Sequence, residues 1–218
     1  MATYRTSFSI RRLWIILVFS MLAMFTVLLL FGQKMYQQAP PIPAQVVVEN
    51  DDVIFSKADI QRGQNVWQAL GGMQQGSIWG HGSYLAPDWS ADWLHREAEA
   101  LLRILATTTA PFAGADADAL NDYHKAQLRV ELRTNTYNNI SESVTISAAR
   151  AKAVSEVAAH YKALFQGAGQ QALQLREQYA FPLHSALNDD DFRTLSAFFF
   201  WSSWAAVTNR PDDNISYT

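Results

Sequence analysis

Apolar residues are distributed along this chain in two ways. The first is a continuous run. Leu13 to Phe31 is nineteen residues without a charge, and as a helix it would span about 28 Å at ~1.5 Å per residue, close to the hydrocarbon thickness of a bilayer. Arg11 and Arg12 precede it, Trp14 stands at its inner boundary, and Lys34 and Tyr36 follow. A cleaved signal peptide has a shorter apolar core and a small-x-small cleavage site, which does not follow Phe31. The run therefore predicts a retained transmembrane helix. Its basic start would hold the amino terminus in the cytoplasm and place the rest of the chain outside.

After this run the pattern becomes amphipathic. Ala39-Pro40-Pro41-Ile42-Pro43-Ala44 reads as a short stiff linker, because proline fixes φ and lacks a donor. Gln45 to Val48 reads as a brief extended segment. Ser56 with Asp59 three residues on is a capping box for a helix through Leu70, stopped by Gly71-Gly72. Ser90 is expected to cap a second helix from about Ala91 to Thr107, with Trp93, Leu94, Ala98, Leu101, Leu102 and Leu105 on one face. A third is expected near Asp118 to Arg133. A fourth starts at Ser147 and ends at Gly167-Ala168-Gly169, and Tyr137 to Ile146 between them alternates weakly, as a small β-hairpin would.

The last apolar stretch, Phe192 to Thr208, has two readings: a second membrane span, or a closing helix of the outer domain. It is only seventeen residues long, contains Arg193, Ser196, Ser202 and Ser203, and follows Asn188 and three aspartates. An acidic start complements a helix dipole, which favours the closing helix. The expected fold class is mainly α, with one N-terminal transmembrane helix, a helical outer domain and a small β-hairpin. The expected divisions are an anchor at 1–35, a linker at 36–55, the outer domain at 56–208 and a connector at 209–218.

Composition narrows the chemistry. The 218 residues are 49% hydrophobic and include no cysteine. A real core is within reach, while disulfides, thiolate metal sites, cysteine nucleophiles and thioether-bound haem are excluded. After Lys34 thirteen Lys/Arg face twenty Asp/Glu, so the body carries about −7 and lacks the basic stripe that nucleic acid would demand. The histidines, His81, His95, His124, His160 and His184, form no i, i+4 pair, and no P-loop, dinucleotide fingerprint or nucleophile elbow occurs. Asp88 and Asp92 read as a turn residue and a first-turn helix acid. Trp67, Trp79, Trp89 and Trp93 read as core aromatics. The residues themselves give no catalytic or metal-ligating assignment.

One stretch is more specific. Arg62-Gly63-Gln64-Asn65-Val66-Trp67 is followed by Gly71-Gly72-Met73-Gln74-Gln75-Gly76, then by Gly80-His81-Gly82-Ser83-Tyr84-Leu85-Ala86-Pro87-Asp88-Trp89. It resembles the c-type haem segment of nitric oxide reductase cytochrome c subunits, where a Gly-x-x-x-Trp helix leads into Cys-x-x-Cys-His and then a Gly-x-Gly-x-Tyr-x-Ala-Pro-Asp turn. The turn residues are Gly80, Gly82, Tyr84, Pro87 and Asp88. Aligning them puts Gly72, Gln75 and Gly76 where the cysteines and histidine would stand. Phe181-Pro182 occupies the stretch where those relatives supply an axial methionine. Leu132-Arg133-Thr134-Asn135-Thr136-Tyr137, Phe198-Phe199-Phe200-Trp201 and Thr208-Asn209-Arg210-Pro211 extend the likeness.

A retained turn without ligands resembles the quinol-dependent nitric oxide reductases, in which a haem-free cytochrome c-like domain is fused ahead of the catalytic membrane subunit. The resemblance implies a cytochrome c-like helical domain lacking haem, whose closing helix crosses the first, with Trp67 and Phe199 as candidates for the crossing. It implies reduction of two NO to N2O and water by membrane quinol. Haem b, high-spin haem b and non-haem iron would sit in a later helix bundle, with NO and quinol bound outside this chain. It implies a cytoplasmic-membrane protein with an extracytoplasmic domain, having lipid and the catalytic membrane domain as partners. The chain is expected to be an inactive piece that stops short of that bundle and serves as a structural cap. The aromatics from Phe198 to Trp204 and the Gly80–Trp89 turn are its expected contact surfaces. A membrane-anchored binding or sensor module is the alternative on architecture alone.

Overall fold

The computed structural model describes residues 9–74, 76–81, 87–108, 116–167, 169–178 and 187–218. The chain divides into two compact units, Met1–Ala39 and Pro40–Thr218. The first contains α1 (Ile10–Gln38), a 29-residue helix with no buried residue, which is long and apolar enough to cross a membrane. Arg11, Arg12 and Trp14 lie in its first turns, with Trp14 62% exposed. An apolar helix that buries nothing within its own chain has a surface suited to lipid.

The second unit is mainly helical with one small sheet. Its elements are β1 (Gln45–Val48), β2 (Val53–Ser56), α2 (Lys57–Ala69), a 3-10 turn (Gly72–Gln74), α3 (Trp89–Thr108), α4 (Ala117–Arg133), β3 (Tyr137–Asn138), β4 (Ser143–Ile146), α5 (Ala148–Gln166), α6 (Gln170–Gln178) and α7 (Asp189–Val207). The expected capping box starts α2: the Ser56 hydroxyl accepts from the Asp59 amide, and the Asp59 carboxylate accepts from the Ser56 amide. An equivalent box of Asn188 and Asp191 starts α7, and Ser147 caps α5. Burial pushes the Asp59 carboxyl upward, but hydrogen bonds from Ser56 and Arg193 outweigh it and hold the group below the ordinary aspartate range.

Two expectations about the strands change. The hairpin β3–β4 forms, but it belongs to a four-stranded sheet in the order β2-β1-β4-β3, with β1 and β4 parallel. The segment 36–55, expected as a linker, supplies the end of α1, all of β1 and most of β2. Strands this short carry little periodic signal, so only pairing defines them. The tail 209–218 is also held to the domain: Asn135 donates to the Asn209 carbonyl and the Tyr217 hydroxyl, and the Tyr217 ring lies 5.5 Å from that of Trp204.

Helix α7 is the axis of the core. Thirteen of its nineteen residues are buried, and it packs against α2, α3, α4, α5 and β2. A helix that is apolar on every side is a buried one. Ser202 and Ser203 fit there because their hydroxyls donate to the Phe199 and Phe200 carbonyls one turn back. The expected Trp67–Phe199 contact is replaced by Trp67–Phe198, with centroids 5.7 Å apart, while Phe199 points to Trp89, Trp93 and Tyr161. Successive helical residues are rotated by about 100°, so neighbours on α7 serve different faces. The expectation that Phe198 to Trp204 form a contact surface is also overturned: Phe198, Phe199, Phe200 and Trp204 are at most 3% exposed within the domain.

The α2–α7 crossing is the tightest backbone approach between these helices. A Cβ on Gly63 would overlap the Thr194 carbonyl and come within 2.9 Å of the Phe198 Cβ. Alanine has the better helix propensity by about 1 kcal/mol, yet overpacking costs about 1–3 kcal/mol. Gly63→Ala is expected to destabilise the full chain in detergent, read as a lower urea midpoint at unchanged slope. Trp204→Asp should abolish the cooperative transition, because it buries a charge without a partner.

Candidate functional site

The loop between α2 and α3 carries most of the candidate residues. Gly71 and Gly72 adopt positive φ (115° and 55°) and turn the chain out of α2 into the 3-10 turn. Beyond it Gly76 has φ 143°. The returning strand is pinned there: the Ser77 amide donates to the Pro87 carbonyl (3.0 Å), and the Trp89 amide donates to the Ser77 carbonyl (2.9 Å). Between them Ile78–His81 is a tight turn with positive φ at Trp79 (56°) and Gly80 (74°), closed by the His81 amide on the Ile78 carbonyl. A tryptophan in left-handed backbone is an outlier that needs external support. Trp79 finds it by donating its indole N–H to the Ser202 carbonyl (2.7 Å) and packing against Trp201 at 5.5 Å. The Trp201 indole in turn donates to the Pro41 carbonyl (2.9 Å).

Asp88 closes the loop. Its carboxylate accepts from the Ser77 hydroxyl (2.7 Å), the Ser90 hydroxyl, the Gly80 amide and the Ala91 amide (2.9 Å). The last bond makes Asp88, rather than the expected Ser90, the cap of α3. The Ser90 hydroxyl is instead occupied with the Trp79 amide and Asp88, and α3 starts two residues earlier than its periodicity suggests. Burial raises the Asp88 carboxyl, but hydrogen bonds from Ser90, Ser77, Ala91 and Gly80 together hold it below the ordinary aspartate range.

Behind this loop lies a packed group of rings. Trp89 stacks on Phe199 at 5.5 Å with planes 10° apart and touches Phe165 and Tyr161 at 5.9 and 6.0 Å. Trp93 lies parallel to Tyr161 at 5.4 Å. Gly72 is buried, and a Cβ on Gly76 would strike the Trp89 indole and the Pro87 carbonyl. The position aligned with a ligating histidine therefore has no room for any side chain, and its neighbourhood is occupied by tryptophan. These residues do not fit a covalently held haem. Among the candidate residues, the structure brings Gly72, Gly76, Gly80, Pro87 and Asp88 into one loop and sets Trp67 apart, on the α2–α7 contact. Gln75, Gly82, Tyr84 and Phe181 lie outside the described residues, as does most of the Gly80–Trp89 turn.

The titratable groups nearby favour structure over proton transfer. Burial, then the Asp92 charge and the hydrogen bond to it, push the Tyr161 hydroxyl well above its ordinary range. Burial and then Arg96 lower His160, with Asp92 opposing. At neutral pH both groups hold their neutral forms. Among the described residues no group of three His, Asp or Glu could hold a metal ion.

Sequence reasoning passed over the most buried polar pair. Glu97 is 0% and Arg150 3% exposed. Arg150 Nε donates to Glu97 Oε1 at 2.7 Å, Trp93 Nε1 donates to Glu97 Oε2 at 2.9 Å, and Arg150 Nη1 donates to the Glu131 carbonyl at 3.0 Å. The guanidinium also lies 5.5 Å from the Phe200 ring centre. A signal was present: Glu97 stands midway between Trp93 and Leu101 on the apolar stripe of α3, where a lone carboxylate demands a partner.

The sequence matches, over residues 43–218, the family of the cytochrome c-like domain of NorB, the B-type subunit of nitric oxide reductase. The chain belongs to that family, and residues 43–218 are its cytochrome c-like domain. A search of curated proteins returned no match.

Asp88 yields a pH test. Because its folded-state value is depressed, its contribution is complete above the unfolded aspartate range and is lost as pH falls through the folded value. Asp88→Asn should lower stability by about 1–2 kcal/mol at pH 7. The gap to the unsubstituted chain should narrow progressively in urea melts taken at lower pH.

Proposed function

We propose that this chain forms the amino-terminal part of a quinol-dependent nitric oxide reductase and acts there as a non-redox cap. One observation carries the reading: a cytochrome c-like domain has Trp89 against Gly76 at the position aligned with the haem histidine. A reductase whose cytochrome c-like domain lacks that haem has no relay for electrons from a soluble cytochrome. Its electrons come instead from membrane quinol. The reaction, 2 NO to N2O and water, belongs to haem b, high-spin haem b and non-haem iron in membrane helices outside this chain, which alone has no turnover.

In this reading α1 spans the cytoplasmic membrane. Arg11 and Arg12 keep the amino terminus inside, and the domain from Pro40 onward is extracytoplasmic. The partners are lipid and the catalytic membrane domain; quinol and NO bind outside this chain. The cap does not use the α7 aromatics, which its own core consumes. What it contributes is a folded, cofactor-free mass tied to the membrane.

A reductase assembled with this chain should consume NO with a soluble quinol analogue as donor and fail to do so with reduced cytochrome c. After denaturing electrophoresis its amino-terminal portion should show no haem-linked peroxidase stain. Turnover driven by reduced cytochrome c alone, or stain co-migrating with this portion, would refute the proposal.

A further inference from the structure

The geometry points to a small amide-binding site beside Arg150. A cavity of about 210 Å³ lies where the ends of α4 and β4 meet the start of α5, with Glu49, Glu131, Thr134, Thr145, Ser147 and Arg150 in its wall. Arg150 commits Nε to Glu97 and Nη1 to the Glu131 carbonyl, while its buried Nη2 has no acceptor. A guanidinium N–H removed from water without an acceptor costs free energy, so an acceptor belongs in this cavity.

Charge defines what kind of group supplies it. The Arg150 charge is already matched by Glu97 at 2.7 Å. Glu49 and Glu131 then stand in the wall without a cation among the cavity's other residues. An anion would satisfy Nη2 but face two carboxylates; a cation would satisfy the carboxylates but face Arg150 and leave Nη2 unpaired. A neutral group with acceptor and donor side by side answers both needs. The amide is that group: its carbonyl takes Nη2 and its N–H groups turn to the carboxylates and threonine hydroxyls. The volume suits one amide-bearing side chain or a single peptide unit and is too small for a cofactor. The source is either a free small amide or an Asn, Gln or backbone amide of a polypeptide. The site is independent of the electron donor and of the cap reading.

The test is a methyl NMR titration of the full chain in detergent, with labelled threonine and isoleucine reporting through Thr134, Thr145 and Ile146. Acetamide should shift these signals saturably, with a Kd on the order of millimolar to tens of millimolar for so small a ligand. Acetate and methylammonium should bind about tenfold more weakly or not at all. The response to acetamide should disappear in Arg150→Lys. Because that variant can lose stability, Glu49→Gln/Glu131→Gln supplies a second arm: removing both wall charges should bring acetate to within a few-fold of acetamide. Tighter saturation by acetyl-Ala-Gln-Ala-amide than by acetamide would assign the amide to a polypeptide, and equal or weaker saturation to a free molecule. Absence of saturable shifts with acetamide would mean that the cavity holds only water, and equal acetate binding by the unsubstituted chain would mean that charge does not select. Either result overturns the proposal.

Discussion

The closeness of α2 to α7 at Gly63 sets the geometry of the whole outer domain. With no Cβ at that point, the Thr194 carbonyl lies against the α2 backbone and Trp67 reaches Phe198 one turn further on. Ridge-into-groove packing of two helices this close fixes their crossing angle within a narrow range. Once α7 is placed, its remaining faces must be covered, and α3, α5 and the sheet cover them: Phe199 receives Trp89, Trp93 and Tyr161, and Phe200 receives Phe55 at 5.8 Å.

Losing a haem from a cytochrome-type domain would remove a large flat apolar body from its centre, and packing at interior density leaves no tolerance for such a hole. In this domain the aromatic side chains carry the load. Trp89, Trp93, Tyr161, Phe165 and Phe199 touch ring to ring behind the loop that would have presented the ligands. The loop keeps its shape without iron because Asp88 gathers four donors onto one carboxylate and Trp79 is bonded to Ser202. These polar contacts replace metal coordination as the restraint on a short, strained turn. The Glu97–Arg150 pair does comparable work on the opposite side of α3. A buried ion pair contributes little net stability over an apolar pair but strongly penalises any arrangement that separates it, so it selects how α3 and α5 meet.

Much of this was legible in the chain before any coordinates. The apolar run of α1, the capping boxes at Ser56 and Asn188, the α5 cap at Ser147 and the absence of cysteine are local chemistry, readable because helix ends and membrane spans depend on residues a few positions apart. The Gly80-to-Trp89 string carried the family, since it preserves a turn whose original ligands are gone. The boundaries of α2, α4 and α5 fell within a residue or two of their periodic patterns.

What the sequence alone could not decide is everything that depends on pairing distant residues. Which of Phe198 and Phe199 meets Trp67, that α7 is wrapped by its own domain instead of presented to a partner, and that the segment after the anchor becomes half of a sheet all follow from contacts more than a hundred positions apart or between strands of four residues. Asp88 displaced Ser90 as the cap of α3 because Ser90 was needed by Trp79 across the loop. Local composition determined that haem could not be attached; only tertiary packing decided that rings, rather than a cavity, stand in its place. The physical reason is that hydrogen bonds at helix ends are short-range in sequence, whereas burial of aromatic area is short-range only in space.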